Sequence, residues 1–164
     1  MQRSIELTPS WPLLLGLGLY ALAFLFGPGA AYFPFAFFLL LALGALLVLL
    51  LHNALTSRWG LPLEPYLYPL ARLLPLMGLL GLPFFFFLPE LFPWARPGAM
   101  ADPILAHRAP YLNAPFLLLR YVLFFTLFAW VLLKLKPGEH RAEVGAWGLP
   151  LVFAAGTFLV YDLF

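Results

Sequence analysis

The sequence predicts an all-α, polytopic integral membrane helix bundle, and three observations carry that prediction. Hydrophobic residues make up 64% of the 164 and charged residues 10%, with a mean hydropathy of +0.97; a soluble domain is nearer a quarter charged. Between Thr8 and Leu51 there is no Asp, Glu, Lys or Arg, a stretch long enough for two crossings of about 20 residues each. The apolar runs are continuous, and in hydrocarbon such runs satisfy their own backbone only as helices, whereas barrel strands would alternate polar and apolar residues over about ten positions. Residues 1–164 read as a single transmembrane domain with about five transmembrane helices, one leading span plus a four-helix bundle.

The spans fall at about residues 11–26, 32–51, 68–88, 115–133 and 146–164. Met1 to Ser10 carries Arg3 and Glu6, and the apolar run continues without an A-x-A type cleavage site, so the first segment reads as a retained span. "GPGAAYFP", residues 27–34, is punctuated by two Gly and two Pro and predicts a short hairpin. The second connection, "HNALTSRWGLPLEP", sets Trp59 beside Arg58 as an interfacial anchor. Pro12, Pro65 and Pro115 stand at or near span starts, where a missing N–H costs nothing. Pro75 and Pro83 lie inside the third span and predict that it is kinked or broken twice.

The long third connection, Pro89 to Ala114, contains "ADPILAH", which predicts a short interfacial helix capped by Asp102 with Pro103 at its first position. His107 and Arg108 finish that helix at the headgroups, Tyr111 anchors at the interface, and Asn113 caps a fourth helix whose Pro115 is tolerated in the first turn. In the fourth connection, "KLKPGEHRAEVG", Pro137 and Gly138 end the preceding helix. Counting Arg3, Arg58, Lys134, Lys136 and Arg141 on one side against Arg96 and Arg108 on the other places the N-terminus inside and the C-terminus outside.

Ionisable residues within spans invite a functional reading. His52 ends the second span, where a neutral imidazole reaches water and headgroups; it is either an interfacial residue or a proton entry point, its ordinary pKa being about 6.5. Arg72, about one turn inside the third span, can snorkel to the inner surface. Arg120 precedes Lys134 by fourteen positions and Asp162 follows Trp147 by fifteen, so both stand roughly 20 Å above the inner surface. The two are expected to face the bundle interior and to pair. That pair is either a fixed structural ion pair or part of a proton relay with Tyr161 and Tyr111; an Arg that holds the carboxylate ionised works against a relay.

No catalytic set is visible: there is no nucleophile elbow, phosphate loop or haem-binding His pair. The absence of Cys excludes disulfides, thiolate-held iron–sulfur clusters and cysteine nucleophiles. Three scattered His do not make a metal site, and a net charge of +2 with no basic run implies no nucleic acid partner. The aromatic stretch "PFFFFLP", residues 83–89, reads as packing or lipid contact, with a quinone or lipid groove as the sharper alternative. Scarce Asn and Gln, no Cys and abundant Pro fit a thermophile composition.

Four pieces of the chain, "LLLHNALTSRWG", "LPLMGLLGLPFFF", "LFPWARPGAMADPILAHRAPYLNAPFLLLR" and "FAAGTFLVYD", occur in this order across residues 32–162. In these the sequence resembles the F subunit of bacterial alternative complex III, a respiratory quinol-oxidising assembly, related to the NrfD or polysulfide reductase membrane-subunit group. "DPILAHRAPYLNAPF" and "LFPWARP" are the specific elements, since hydrophobic bias does not produce ordered polar motifs. The resemblance implies a non-catalytic subunit of the bacterial cytoplasmic membrane that supports the NrfD-like quinol-binding subunit and helps move protons. It also implies membrane lipid and other respiratory-complex subunits as partners. Quinone, haem and iron–sulfur centres are then expected in those partner subunits, with no cofactor bound by this chain.

The sequence departs from the family pattern in three places. His52 is followed by Asn53 where the family has a double His, Arg108 replaces a Lys, and Asp162 is followed by Leu163 where the family has Asp-Trp. Family members also continue through further spans and a second four-helix bundle, so the chain corresponds to their N-terminal half, either as a half-length subunit or as a piece of a longer product. Two other readings stay open: a small transporter or channel-like protein with Arg120 and Asp162 in its path, and a stand-alone membrane assembly factor. Against the first, no convincing inverted repeat is visible.

Overall fold

The structure, a computed structural model, describes residues 11–55 and 59–163. The readings of Met1 to Ser10 and of Arg58 lie outside the described residues. Among the described residues eight α-helices follow one another: α1 (Trp11–Ala23), α2 (Pro28–Ala54), α3 (Glu64–Ala71), α4 (Leu74–Leu80), α5 (Leu88–Leu91), α6 (Pro103–Arg108), α7 (Ala114–Lys134) and α8 (Ala142–Leu163). Short 3-10 turns at Phe24–Phe26, Leu82–Phe87, Pro93–Ala95 and Ala99–Ala101 join some of them. Four helical stretches are long and apolar enough to cross a membrane: Pro28–Ala54, Glu64–Leu91, Ala114–Lys134 and Ala142–Leu163. The leading segment is a shorter apolar helix over Leu14–Phe26, so the architecture is an all-α membrane bundle of four long helices plus one short one.

The first connection is tighter than the expected eight-residue hairpin. Only Gly27 is non-helical; α2 starts at Pro28 and runs through Pro34. Gly27 has φ +110°, a conformation open to glycine and strained for other residues, and Pro28 then presets the first helical turn. A Cβ on Gly27 would meet no atom within 4 Å, so the cost of one is backbone strain alone. Gly27→Ala is expected to cost about 1–3 kcal/mol, read from the shift in the unfolding midpoint in mixed detergent micelles.

The third span is divided as its prolines dictate. Pro65, Pro75, Pro83 and Pro89 each stand in the first turn of a new segment, where the absent N–H breaks no intrahelical bond. The breaks expected at Pro75 and Pro83 are both present, and Pro89 adds a third. Carbonyls near the second break take hydroxyl donors from other helices. Tyr20 donates to Leu80 O at 2.6 Å, and Tyr121 donates to Gly78 O at 3.0 Å and Met77 O at 3.3 Å.

The core is built around α2. Leu39, Ala42, Leu46, Leu49 and Leu50 are buried at helical spacing and form the stripe that the other spans cover. α8 comes closest, because Gly145, Gly148 and Gly156 line its inner face. A Cβ on Gly145 would overlap the backbone of Asn53 and Ala54, while those on Gly148 and Gly156 would press on Leu50 and Leu43. Small residues at such spacing let membrane helices approach backbone to backbone. Outward, Phe33, Phe37, Leu123, Phe153 and Phe158 are exposed, as side chains with lipid for solvent are.

Candidate functional site

Polar side chains collect at both ends of the bundle. The first cluster grows from the start of α7. Asp102 caps α6 by accepting from Ile104 N at 2.8 Å, and α6 ends with the exposed His107 and Arg108. Asn113 then caps α7 by accepting from Phe116 N at 2.9 Å, while its amide nitrogen donates to Pro110 O at 2.9 Å and Ala109 O at 3.2 Å. These bonds fix the turn that carries Tyr111 back over α7.

Arg120 lies six residues after Ala114, roughly 9 Å along the helix at 1.5 Å per residue. Its Nε donates to Asp162 Oδ2 at 2.7 Å and its Nη2 to Asp162 Oδ1 at 3.0 Å, the bidentate geometry that suits a guanidinium to a carboxylate. Nη1 donates to Tyr111 O at 3.1 Å, and the Tyr111 hydroxyl donates to Asp162 Oδ1 at 2.9 Å. The guanidinium carbon also sits 3.8 Å from the Tyr111 ring centre and 4.5 Å from that of Phe116, so both rings add cation–π attraction. Arg120 and Asp162 are both buried. Every guanidinium nitrogen is engaged and both carboxylate oxygens are taken, which makes the cluster a clamp between the start of α7 and the end of α8.

Tyr111, read from sequence both as an interfacial anchor and as a relay candidate beside the Arg120–Asp162 pair, bonds Asp162 directly. Burial, reinforced by that bond and by the carboxylate's charge, pushes its phenol above the usual tyrosine value. A raised folded-state value means that the stability Tyr111 contributes is fully present below the ordinary tyrosine pKa of about 10 and is lost as pH rises through the folded value. Wild-type protein is therefore expected to lose stability above that pH more steeply than Tyr111→Phe, as measured by micelle unfolding along a pH series. Tyr161, the other relay candidate, is 67% exposed and takes no part in the clamp's hydrogen bonds. Nearby, the Tyr32 hydroxyl donates to Leu163 O and ties the start of α2 to the end of α8.

The second cluster lies where α2 ends. His52 does not reach water there: it is 2% exposed, covered by Trp59, Gly60 and the 135–141 connection. Its ring lies 5.7 Å from that of Trp59 and 6.0 Å from that of His140, and a Cβ on Gly60 would overlap it. His52 Nε2 is 3.7 Å from Glu64 Oε1, and Glu64 Oε2 accepts from Gly138 N at 3.1 Å. Asn53 accepts from Arg141 N at 2.7 Å and donates to Leu49 O at 2.9 Å, and His140 Nε2 donates to Leu55 O at 2.8 Å. Buried His52 Nδ1 and the Tyr68 hydroxyl have no hydrogen-bond partner among the described residues.

Glu64, Tyr68 and His140 were not singled out from sequence, and Asn53 only as the residue that stands where the family pattern has a second His. Glu64 and Tyr68, four apart, share one helix face, the one signal that was available. On the exposed surface of the same connection, Glu139 bonds Arg141 at 2.6 Å, which holds its carboxyl below the usual range. Among the described residues no group of three His, Asp or Glu converges to hold a metal ion. The "PFFFFLP" stretch divides: Phe84 is buried against Phe24, Tyr32 and Phe35, while Phe86 is 86% exposed.

Fold and geometry define a multi-pass α-helical membrane protein with a buried polar cluster at each end. No protein-family model matches the chain, and no match to it was found among curated proteins.

Proposed function

We propose that this chain is an integral, non-catalytic subunit of a respiratory quinol-oxidising complex of the alternative complex III type. In this reading it supports the NrfD-like quinol-binding subunit in the bacterial cytoplasmic membrane, N-terminus inside and C-terminus outside. The observation that carries it is the ordered set of polar motifs, above all "DPILAHRAPYLNAPF". Its residues have concrete work here: Asp102 and Asn113 cap consecutive helices, and Tyr111 closes the clamp on Asp162.

The geometry around Arg120 favours a structural pair over a relay, since an arginine that cannot give up its proton occupies both carboxylate oxygens. His52, buried against Glu64 with one ring nitrogen open, suits the chain's contribution to a proton path better. Haem, iron–sulfur and quinone chemistry belongs to the partner subunits in this reading.

Affinity purification in mild detergent followed by mass spectrometry tests the assignment. Co-purification of a multihaem cytochrome, an iron–sulfur subunit and an NrfD-like subunit is expected. Recovery of the protein alone, with no genes for such subunits adjacent to its own, would overturn it. For the proton path, His52→Gln in the reconstituted complex is expected to slow turnover-linked proton uptake, with Asp162→Asn leaving it unchanged in whatever complex assembles.

A further inference from the structure

The short leading helix stands away from the bundle along part of its length. Near its C-terminal end α1 is fastened, through the bond from Tyr20 to Leu80 O and the packing of Phe24 on Phe84 and Phe87. Toward its N-terminal end it diverges: a Cβ on Gly16 or Gly18 would meet no atom within 4 Å. Between α1, α2 and α4 this leaves a cleft of about 530 Å³, lined by Gly16, Tyr20, Phe38, Leu73, Met77 and Leu80 among others. Its lining is apolar, and the one hydroxyl, that of Tyr20, is already committed to Leu80 O.

Size and charge together select the occupant. The lining runs from Gly16 to Ala23 on one side and from Leu73 to Leu80 on another, roughly 10 Å along a helix axis, far short of the ~30 Å that a crossing helix must cover. A flexible hydrocarbon chain fits such a space, and in a bilayer it is always at hand. Arg72 directly precedes the lining residue Leu73, is exposed, and its guanidinium makes no hydrogen bond or ion pair with a described residue. A long cationic side chain there lays its stem along apolar surface and lifts its charge toward the headgroups. We infer that the cleft between α1, α2 and α4 is a binding site for one phospholipid, with an acyl chain in the cleft and an anionic headgroup at Arg72.

The test uses the full chain reconstituted in vesicles of palmitoyl-oleoyl phosphatidylglycerol or phosphatidylcholine, extracted in mild detergent and weighed by native mass spectrometry. Wild-type protein is expected to retain one phospholipid, with about a fivefold preference for phosphatidylglycerol, the worth of one basic residue beside an anionic lipid. Gly16→Phe fills the cleft from a position with open space around it and, in a helix, replaces glycine with a better helix former. It is expected to fold and to lose the bound lipid. Arg72→Gln is expected to keep the lipid and lose the preference. Equal retention by Gly16→Phe and wild type, no retained phospholipid in wild type, an Arg72→Gln variant with unchanged preference, or a quinone held in the lipid's place from native membranes would each overturn the inference.

Discussion

Asp162→Ala is expected to destabilise the bundle by about 3–5 kcal/mol, because it strands a buried guanidinium without its carboxylate. Arg120 is 8% exposed and directs two nitrogens at Asp162, at 2.7 and 3.0 Å; after truncation it keeps only Tyr111 O and the two rings. Equilibrium unfolding in mixed dodecyl maltoside and SDS micelles measures the loss. The companion variant carries Arg120→Leu and Asp162→Leu together, removing both charges and replacing them with packing. That double variant is expected to recover most of the stability, since an apolar substitute for a buried pair is often neutral or better. A double variant as unstable as Asp162→Ala would mean that the pair's charges stabilise the bundle in themselves.

Gly145→Ala is expected to cost about 2–3 kcal/mol, the upper part of what overpacking a core usually costs. The added methyl would stand on the main chain of Asn53 and Ala54, and main chain cannot rotate aside as the end of a side chain can. α8 must then shift off α2, stretching the bond from Arg141 N to Asn53 Oδ1, now 2.7 Å. Gly44→Ala is the control. Gly44 lies in α2, and a Cβ there meets no atom within 4 Å, so a small gain of about 0.5–1 kcal/mol from helix propensity is expected. The same micelle unfolding series reads both variants.

What the sequence could and could not reveal follows from the range of each interaction. Spans were legible because hydropathy is summed over many neighbouring residues, and caps because Asp102, Pro103, Asn113 and Pro115 act within a few positions of themselves. The meeting of Arg120 with Asp162 was legible through depth, because a helix converts residue number into height. Other features depend on geometry that a chain read in one dimension does not contain. Glu64 reaches Gly138 across 74 positions, from the first turn of one helix to a loop whose course depends on where α7 and α8 end. His52 at a span's end reads as interfacial; it is buried because Gly60 has no side chain and lets the following turn fold over the ring. The hairpin at Gly27 contracted to one residue because Pro34, read as punctuation, lies within the helix.

The divided third span bears on the order in which the protein is made. Its prolines leave it unable to complete its own hydrogen bonding, and carbonyls at the break before Pro83 are met by Tyr20 on one side and Tyr121 on the other. Tyr20 has already been synthesised when the third span leaves the ribosome; Tyr121 has not. Until the fourth span arrives, Gly78 O lacks the hydroxyl that meets it in the finished bundle, in a medium that offers no donors, while Met77 O has only its backbone bond from Gly81 N. The third span thus enters the membrane before the partner that completes it exists, and its final seating waits on the helix that follows.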